Sequence, residues 1–359
     1  MVTDTQASAD ALVERIFGSV LGALDVYAVY VGDRLGYYDI LSELGPLTSG
    51  ELASRAGTTE RYAREWLEQQ AVTGIITVAV DSADAGHRRF GLPPGHAEAL
   101  TDRLSLNYIA PFARMISAAG MKLSAIVQAH RTGQGVPWDD FGDDMRESQG
   151  DMNRPFFANL LADEWFGGVP ELRARLEAGG RVADIGCGHG WSAIAIAAGY
   201  PNVTVDGYDL DVPSVESAQR HADAAGVAAR ARFHAIDAGD PSVEGNYDIV
   251  TAFECIHDMA DPVSALRTMR RLAGDDGIVV VMDEKVSEAF SPDSDEVEQL
   301  MYGFSNFICL PDGLSHEGSV GTGTVMRPDK LREYAREAGF ADIEVLSIDA
   351  DLWRFYKLV

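Results

Sequence analysis

The stretch AFECIHDMADP, residues 252–262, sets His257 beside Asp258 directly after an apolar run. Residues of these types in this order can do three things. The imidazole can be a general base, because an unperturbed pKa of about 6.5 leaves it neutral and able to accept a hydroxyl proton close to pH 7. The pair can be half of a metal site. Or it can be an ordinary turn, with His257 capping a helix that starts near Asp261.

Which of these applies depends on the elements around it. From about residue 170 the sequence alternates between strands and helices: RVADIG, WSAIAIAAGY, VTVDGYDL, VPSVESAQRHADAAG, ARFHAID, YDIVTAFEC, PVSALRTMRRLAG, GIVVVMDE, PDKLREYAREAGF, IEVLSID and DLWRFYKLV. Strands separated by helices of this length predict a doubly wound, mostly parallel sheet. The last two strands, joined by a short loop, predict an antiparallel hairpin at one edge. His257 then falls at the carboxyl end of the fourth strand, the edge along which such sheets bind ligands.

The same edge carries a glycine loop, VADIGCGHGWS, between the first strand and its helix. Its spacing, G-x-G-x-G, misses the dinucleotide pattern G-x-G-x-x-G. Asp184 stands two residues before Gly186, where a carboxylate would repel a pyrophosphate but suit a ligand carrying an ammonium and a sulfonium. Asp209 ends the next strand, where an acid grasps a ribose diol. In HAIDAGD, Asp237 ends the third strand, placed to accept from an adenine amino group, with the small Ala238 behind it. Capping could account for one such acid, but hardly for three at successive strand ends.

In order and separation, VADIGCGHG, DGYDLD, FHAIDAGD and YDIVTAFECIHDM resemble the motif set of class I S-adenosylmethionine-dependent methyltransferases, and the resemblance covers residues 170–359. It implies a Rossmann-like domain with a seven-stranded sheet. It also implies S-adenosylmethionine as cofactor: Asp184, Gly186, Cys187 and Gly188 at the methionine part, Asp209 and Leu210 at the ribose, Asp237 and Ala238 at the adenine, and Phe253 and Glu254 bordering it. HDMAD is similar to the HDWSD stretch of plant-type O-methyltransferases, whose histidine is the general base, but Met259 and Ala260 replace Trp and Ser. Asp258 would orient the ring or hold substrate. A glutamate after the fifth strand often joins such a histidine. Asp283 and Glu284 are both available, and Glu284 is the closer match. The alternative is a set of bacterial α-keto-acid C-methyltransferases that bind a metal through a His-Asp pair and a second histidine. Here that set would be His257, Asp258 and His316, the last in the glycine-rich GLSHEGSVGTG. Without that alternative no metal is expected.

The first half supplies the remaining parts. Residues 1–100 read as helices followed by a winged-helix pattern, with Thr48 or Ser49 capping one helix and the strands IITVAV and RRFGL forming the wing. Gly18, Gly22, Gly32 and Gly36 mark breaks or close-packing points in the opening helices. Residues 101–169 read as a helical linker that roofs a substrate pocket. By the resemblance, the first domain makes a homodimer, and the acceptor is a small molecule. Met301, Tyr302, Phe304 and Phe307, on a helix before the last one, are candidates for the pocket wall.

Charge bears on the rival functions. The chain of 359 residues has 29 basic and 56 acidic residues, a net charge of −27. Such a surface repels nucleic-acid phosphates and anionic membranes. The helix-turn-helix pattern itself lies in a segment that is net acidic, whereas DNA binding needs a basic face. A winged-helix regulator or an inactive cofactor-binding homologue is the non-enzyme alternative. Cys187, Cys255 and Cys309 fit no zinc or disulfide pattern, no apolar run approaches a membrane span, and no signal peptide is visible. A cytoplasmic location is expected.

Overall fold

The computed structural model describes residues 2–237, 239, 240 and 242–359, with side chains from residue 5 onward. The chain divides into two compact units, residues 1–118 and 119–359.

The first unit holds helices α1 (Val2–Arg34), α2 (Tyr37–Leu44), α3 (Ser49–Ala56) and α4 (Glu60–Val72), an antiparallel pair β1 (Thr77–Val80) and β2 (Arg89–Gly91), and α5 (Pro94–Thr101). This is the expected winged helix. Thr48 is the cap: its hydroxyl accepts from the Glu51 N–H at 3.2 Å while Glu51 accepts from the Thr48 N–H at 2.8 Å. Tyr37, Leu41, Leu52, Leu67 and Phe90 form the core. α1 runs uninterrupted through Gly18, Gly22 and Gly32, and the break comes at Gly36, whose φ is 66°. Gly32 is the close-packing point, because a Cβ there would press into the Trp66 and Tyr38 rings. Gly32→Ala is therefore expected to cost about 1–3 kcal/mol by overpacking, read as a lower denaturation midpoint. An unchanged midpoint would show that these rings can yield.

α6 (Ala110–Gly120) crosses the division between the units. The second unit continues with α7 (Leu123–Thr132), α8 (Trp138–Phe141) and α9 (Asp143–Phe156), then a wider π-helical stretch, Phe157–Phe166, and α10 (Pro170–Glu177). The sheet is built from β3 (Arg181–Ile185), β4 (Thr204–Asp209), β5 (Ala231–Ala235), β6 (Ile249–Phe253), β7 (Ile278–Glu284), β8 (Ile343–Val345) and β9 (Trp353–Leu358). Its order is β5-β4-β3-β6-β7-β9-β8, all parallel except β9, which runs antiparallel to β7 and β8. Helices α11 (Trp191–Gly199), α12 (Val212–Ala224), α13 (Pro262–Ala273), α14 (Glu296–Phe304), α15 (Leu310–Gly313) and α16 (Pro328–Ala338) complete the unit.

The strand sequences explain the layering. On β7, Val279 and Val281 enter one apolar cluster while Val280 and Met282 enter the other, so both sheet faces are covered. From β3 the chain steps outward to β4 and β5, then returns to β6 on the other side. The crevice above β3 and β6 is thus the switch point where such sheets bind ligands.

Two expected strands come out shorter: IITVAV orders only over Thr77–Val80 and IEVLSID only over Ile343–Val345. The helix expected to carry Met301, Tyr302, Phe304 and Phe307 comes in pieces, with a π-helical turn, Ser305–Cys309, between α14 and α15.

Candidate active site

The glycine loop closes β3 onto α11. Gly186 N–H and Cys187 N–H both donate to the Tyr208 carbonyl, at 2.8 and 3.1 Å, which ties the loop to β4. Gly186 and Gly188 have φ of 67° and 48°, the left-handed region that favours glycine. A Cβ at Gly186 would strike Cys255, whereas one at Gly188 would meet open space. The loop is thus a wall that lets a ligand approach the backbone.

Asp209, at the end of β4, accepts from Gly188 N–H at 2.8 Å and from Asp211 N–H at 2.9 Å. Burial holds its carboxyl above the usual range despite these donors. Leu210 beside it is exposed. Asp184 is wholly buried beneath the loop, where it accepts from Ser192 Oγ at 2.5 Å and Thr251 Oγ1 at 2.8 Å. It therefore braces the loop rather than facing a ligand. Asp237, two residues past β5, is exposed and accepts from Gly239 N–H at 2.7 Å, while Ala238 lies outside the described residues.

A cavity opens above the crevice, bordered by Gly186, Cys187, Gly188, Phe253 and Glu254 from the strand edge. Its opposite wall is α9 with the residues that follow, and sequence reasoning missed it. Arg146, Gln149, Asn153 and Phe157 stand three or four residues apart, on one helical face. That spacing was the available signal. Gly150 allows α9 to sit against the loop, since a Cβ there would meet the His189 ring at 2.7 Å. Arg146 is anchored to Asp211 at 3.0 Å and also pairs with Asp143 and Asp139. Gln149 and Asn153 donate to Glu254. Among the described residues Glu254 is the one non-glycine with positive φ, 50°, a strained backbone of the kind that marks functional sites.

The His-Asp pair lies just beyond Glu254. His257 is 2 % exposed, and its Nδ1 sits 3.0 Å from Asp283 Oδ1 and 3.2 Å from Glu284 Oε2. Both acids after the fifth strand reach the ring, so Asp283, the less favoured of the two on sequence, is the nearer partner. Asp258 Oδ1 is 3.3 Å from Nε2 but outside hydrogen-bond geometry. The capping role falls to Asp261 instead, which accepts from Ser264 N–H at 2.9 Å. His316 stands on the glycine-rich loop, 4.0 Å from Asp312 and exposed, and the third side chain grouped with His257 and Asp258 is Cys309. Met301 is buried, Tyr302 and Phe307 are exposed, and neither these nor Phe304 borders the cavity.

The electrostatics are those of a crowded acidic cluster. Burial, then the Glu284 charge, pushes Glu254 up to about 8. Burial and Asp283 push Glu284 up to about 8 as well. Burial, then Asp258, lifts Asp312 to about 7, and burial lifts Asp184 to about 6. Burial opposes charge on His257, yet Asp258, Asp283 and Glu284 outweigh it and hold the imidazole well above its usual 6.5. All these groups keep, in the folded chain, a proton that the unfolded chain releases at lower pH. Their stabilisation is complete below the ordinary pKa values and is lost as pH climbs through the raised ones. The ligand-free protein is expected to melt lower at pH 8 than at pH 5.5, by roughly several degrees. Glu254→Gln, which keeps a neutral side chain in place, should flatten part of that slope. A slope identical to wild type would remove Glu254 from the account.

The cavity suits a ligand with cationic and ribosyl parts. Glu254 and Asp209 stand at the ends of β6 and β4, Gly188 leaves open approach, and the buried Trp191 Nε1 has no partner. These features fit S-adenosylmethionine and disfavour a pyrophosphate.

Comparison with known proteins agrees. The model of a methyltransferase domain matches residues 157–345, and the model of a winged helix-turn-helix domain matches residues 22–102. The chain is 27 % identical over 235 residues to 27-O-demethylrifamycin SV methyltransferase of Amycolatopsis mediterranei, covering 61 % of this chain and 81 % of that one. It is 35 % identical over 123 residues to a ubiquinone biosynthesis O-methyltransferase of Bordetella avium, 34 % of this chain and 48 % of the relative, so that match spans about half the relative's length. The solved structure of a mitomycin 7-O-methyltransferase shares the fold across 98 % of this chain and 99 % of its own, with a TM-score of 0.70 and 19 % identity. With the family model matching over half of its length, the chain belongs to the methyltransferase-domain family and is an S-adenosylmethionine-dependent methyltransferase acting through a class I fold joined to a winged helix.

Proposed function

We propose that the protein methylates a hydroxyl oxygen of a small molecule, with His257 taking the proton. The observation that carries this reading is the His257 ring at the carboxyl end of β6, its Nδ1 hydrogen-bonded to Asp283 with the Glu284 carboxyl close by. A carboxylate on Nδ1 orients the ring, stabilises the imidazolium that forms and leaves Nε2 to receive the proton. The bound cofactor supplies an already activated methyl group, so the chain's task is to align donor and acceptor and exclude water. Glu254, Gln149 and Asn153 would hold the cofactor, with Asp209 and Leu210 at its ribose and Asp237 and Ala238 at its adenine.

An acceptor must still reach His257. The glycine-rich loop covers it, with Gly323 N–H donating to the His257 carbonyl and Val320 N–H to the Ala260 carbonyl, both at 3.1 Å. Displacing that loop would open the way. Met301, Tyr302, Phe304 and Phe307 precede it and would form the wall an aromatic acceptor meets. The test is to incubate the protein with S-adenosylmethionine and hydroxylated aromatic acceptors, then locate the new methyl group by NMR. Methyl groups found on carbon would contradict the reading and favour keto-acid C-methylation.

A regulator reading has little support. On α4, Arg61 pairs with Glu65, and Arg64 lies 3.4 Å from Glu60, so the helix neutralises its own basic residues. The chain is instead read as a cytoplasmic homodimer. No described helix is long and apolar enough to cross a membrane, and all three cysteines are unpaired. On α1, Val13, Phe17, Val20, Leu24, Tyr27 and Val31 recur at alternating spacings of four and three, and all are at least 40 % exposed in the single chain. That is the seam of a helix that pairs with a second copy. Leu24→Glu is expected to convert dimers to monomers in sedimentation. A monomeric wild type would overturn the assignment.

A further inference from the structure

We propose that the indole N–H of Trp191 receives the α-carboxylate of S-adenosylmethionine. The inference rests on placing the cofactor's amino-acid end in the cavity above the glycine loop. Trp191 borders that cavity, and its Nε1 is buried without a hydrogen-bond partner. Buried donors are almost always paired, so an orphan on a ligand cavity marks a contact the ligand completes.

Four other polar side chains of the wall are committed. Arg146 is held by Asp211, Asp143 and Asp139, Gln149 and Asn153 donate to Glu254, and Ser192 donates to Asp184. The indole is packed on its ring faces. His221 stacks on it with centroids 4.1 Å apart and planes 16° from parallel, and the Arg154 guanidinium carbon lies 4.2 Å from the ring centroid. A cation over the π face draws electron density from the ring and makes the N–H a stronger donor. With its carboxylate toward Trp191, the amino-acid end of the cofactor would lie with its cationic groups toward the Glu254 carboxyl, on the same cavity.

The test compares S-adenosylmethionine with its decarboxylated analogue by calorimetry, in wild type and in Trp191→Phe, which keeps a ring for His221 to stack on. Wild type should prefer the carboxylated ligand. The substitution should weaken that ligand by at least roughly tenfold, as expected for a hydrogen bond to a charged group, and leave the analogue within about twofold. Equal loss for both ligands would show that the ring only packs. No loss for either would show that the N–H is idle. Either result overturns the proposal. Failure of wild type to bind S-adenosylmethionine would instead overturn the cofactor placement beneath it. If Trp191→Phe does not fold, the wild-type indole spectrum decides. One of its five tryptophan N–H resonances should move downfield with S-adenosylmethionine and stay with the analogue, and five unmoved resonances would refute the contact.

Discussion

Asp209→Ala is expected to weaken S-adenosylmethionine binding by roughly a hundredfold or more while the fold survives. Two losses combine. The ribose hydroxyls lose a charged acceptor, and each hydrogen bond to a charged group is worth about 1.5–3 kcal/mol. The loop also loses its anchor, because Asp209 accepts from Gly188 N–H at 2.8 Å. Asp209→Asn should fall between the two, since an amide oxygen can still hold Gly188 but offers no charge to the diol. Calorimetry gives the affinity, and a melting curve checks the fold. A change below about threefold would mean that the ribose lies elsewhere.

His257→Ala should act on the opposite parameter. The imidazole does not border the cavity, so cofactor affinity should hardly change. General-base catalysis contributes about 10²–10⁴ in rate, and kcat should drop by that much. Asp283→Asn should cost less, since an amide oxygen can still accept from Nδ1 and the Glu284 carboxyl stays 3.2 Å away. A His257→Ala enzyme keeping more than about a tenth of wild-type kcat would remove the proton-transfer role.

The parts legible in the sequence were those where a local pattern and the tertiary environment agree. Strand β7 begins with the apolar run IVVVM because both sheet faces are covered, and the glycines of VADIGCGHG sit where the backbone needs positive φ. The less legible parts depend on approach between distant segments. The face of α9 was written in the spacing of Arg146, Gln149, Asn153 and Phe157, but on a polar helix nothing says which side meets the loop. The orphaned indole N–H of Trp191 is visible only in the fold, where His221 and Arg154 pack against the ring. Asp184 looked like a ligand contact because of its place before the loop, yet Ser192 and Thr251 occupy its carboxylate. Asp283 and Glu284 face opposite ways along an ideal strand, and the resemblance favours Glu284. At the end of β7 both reach the imidazole. Where His316 points is decided by loop backbone, which sequence spacing does not encode. The π-helical turns carry no simple periodic signal, since their wider winding depends on packing.

The pH dependence of methyl transfer tests the central assignment most directly. His257 must be neutral to take a proton, and its carboxylate neighbours hold it protonated well above its usual 6.5. The single-turnover rate at saturating cofactor and acceptor should therefore rise with pH along a limb whose midpoint lies above 6.5, and His257→Ala should abolish that limb. A wild-type rate that is flat across neutral and alkaline pH, or a His257→Ala profile with the same midpoint, would contradict His257 as the base.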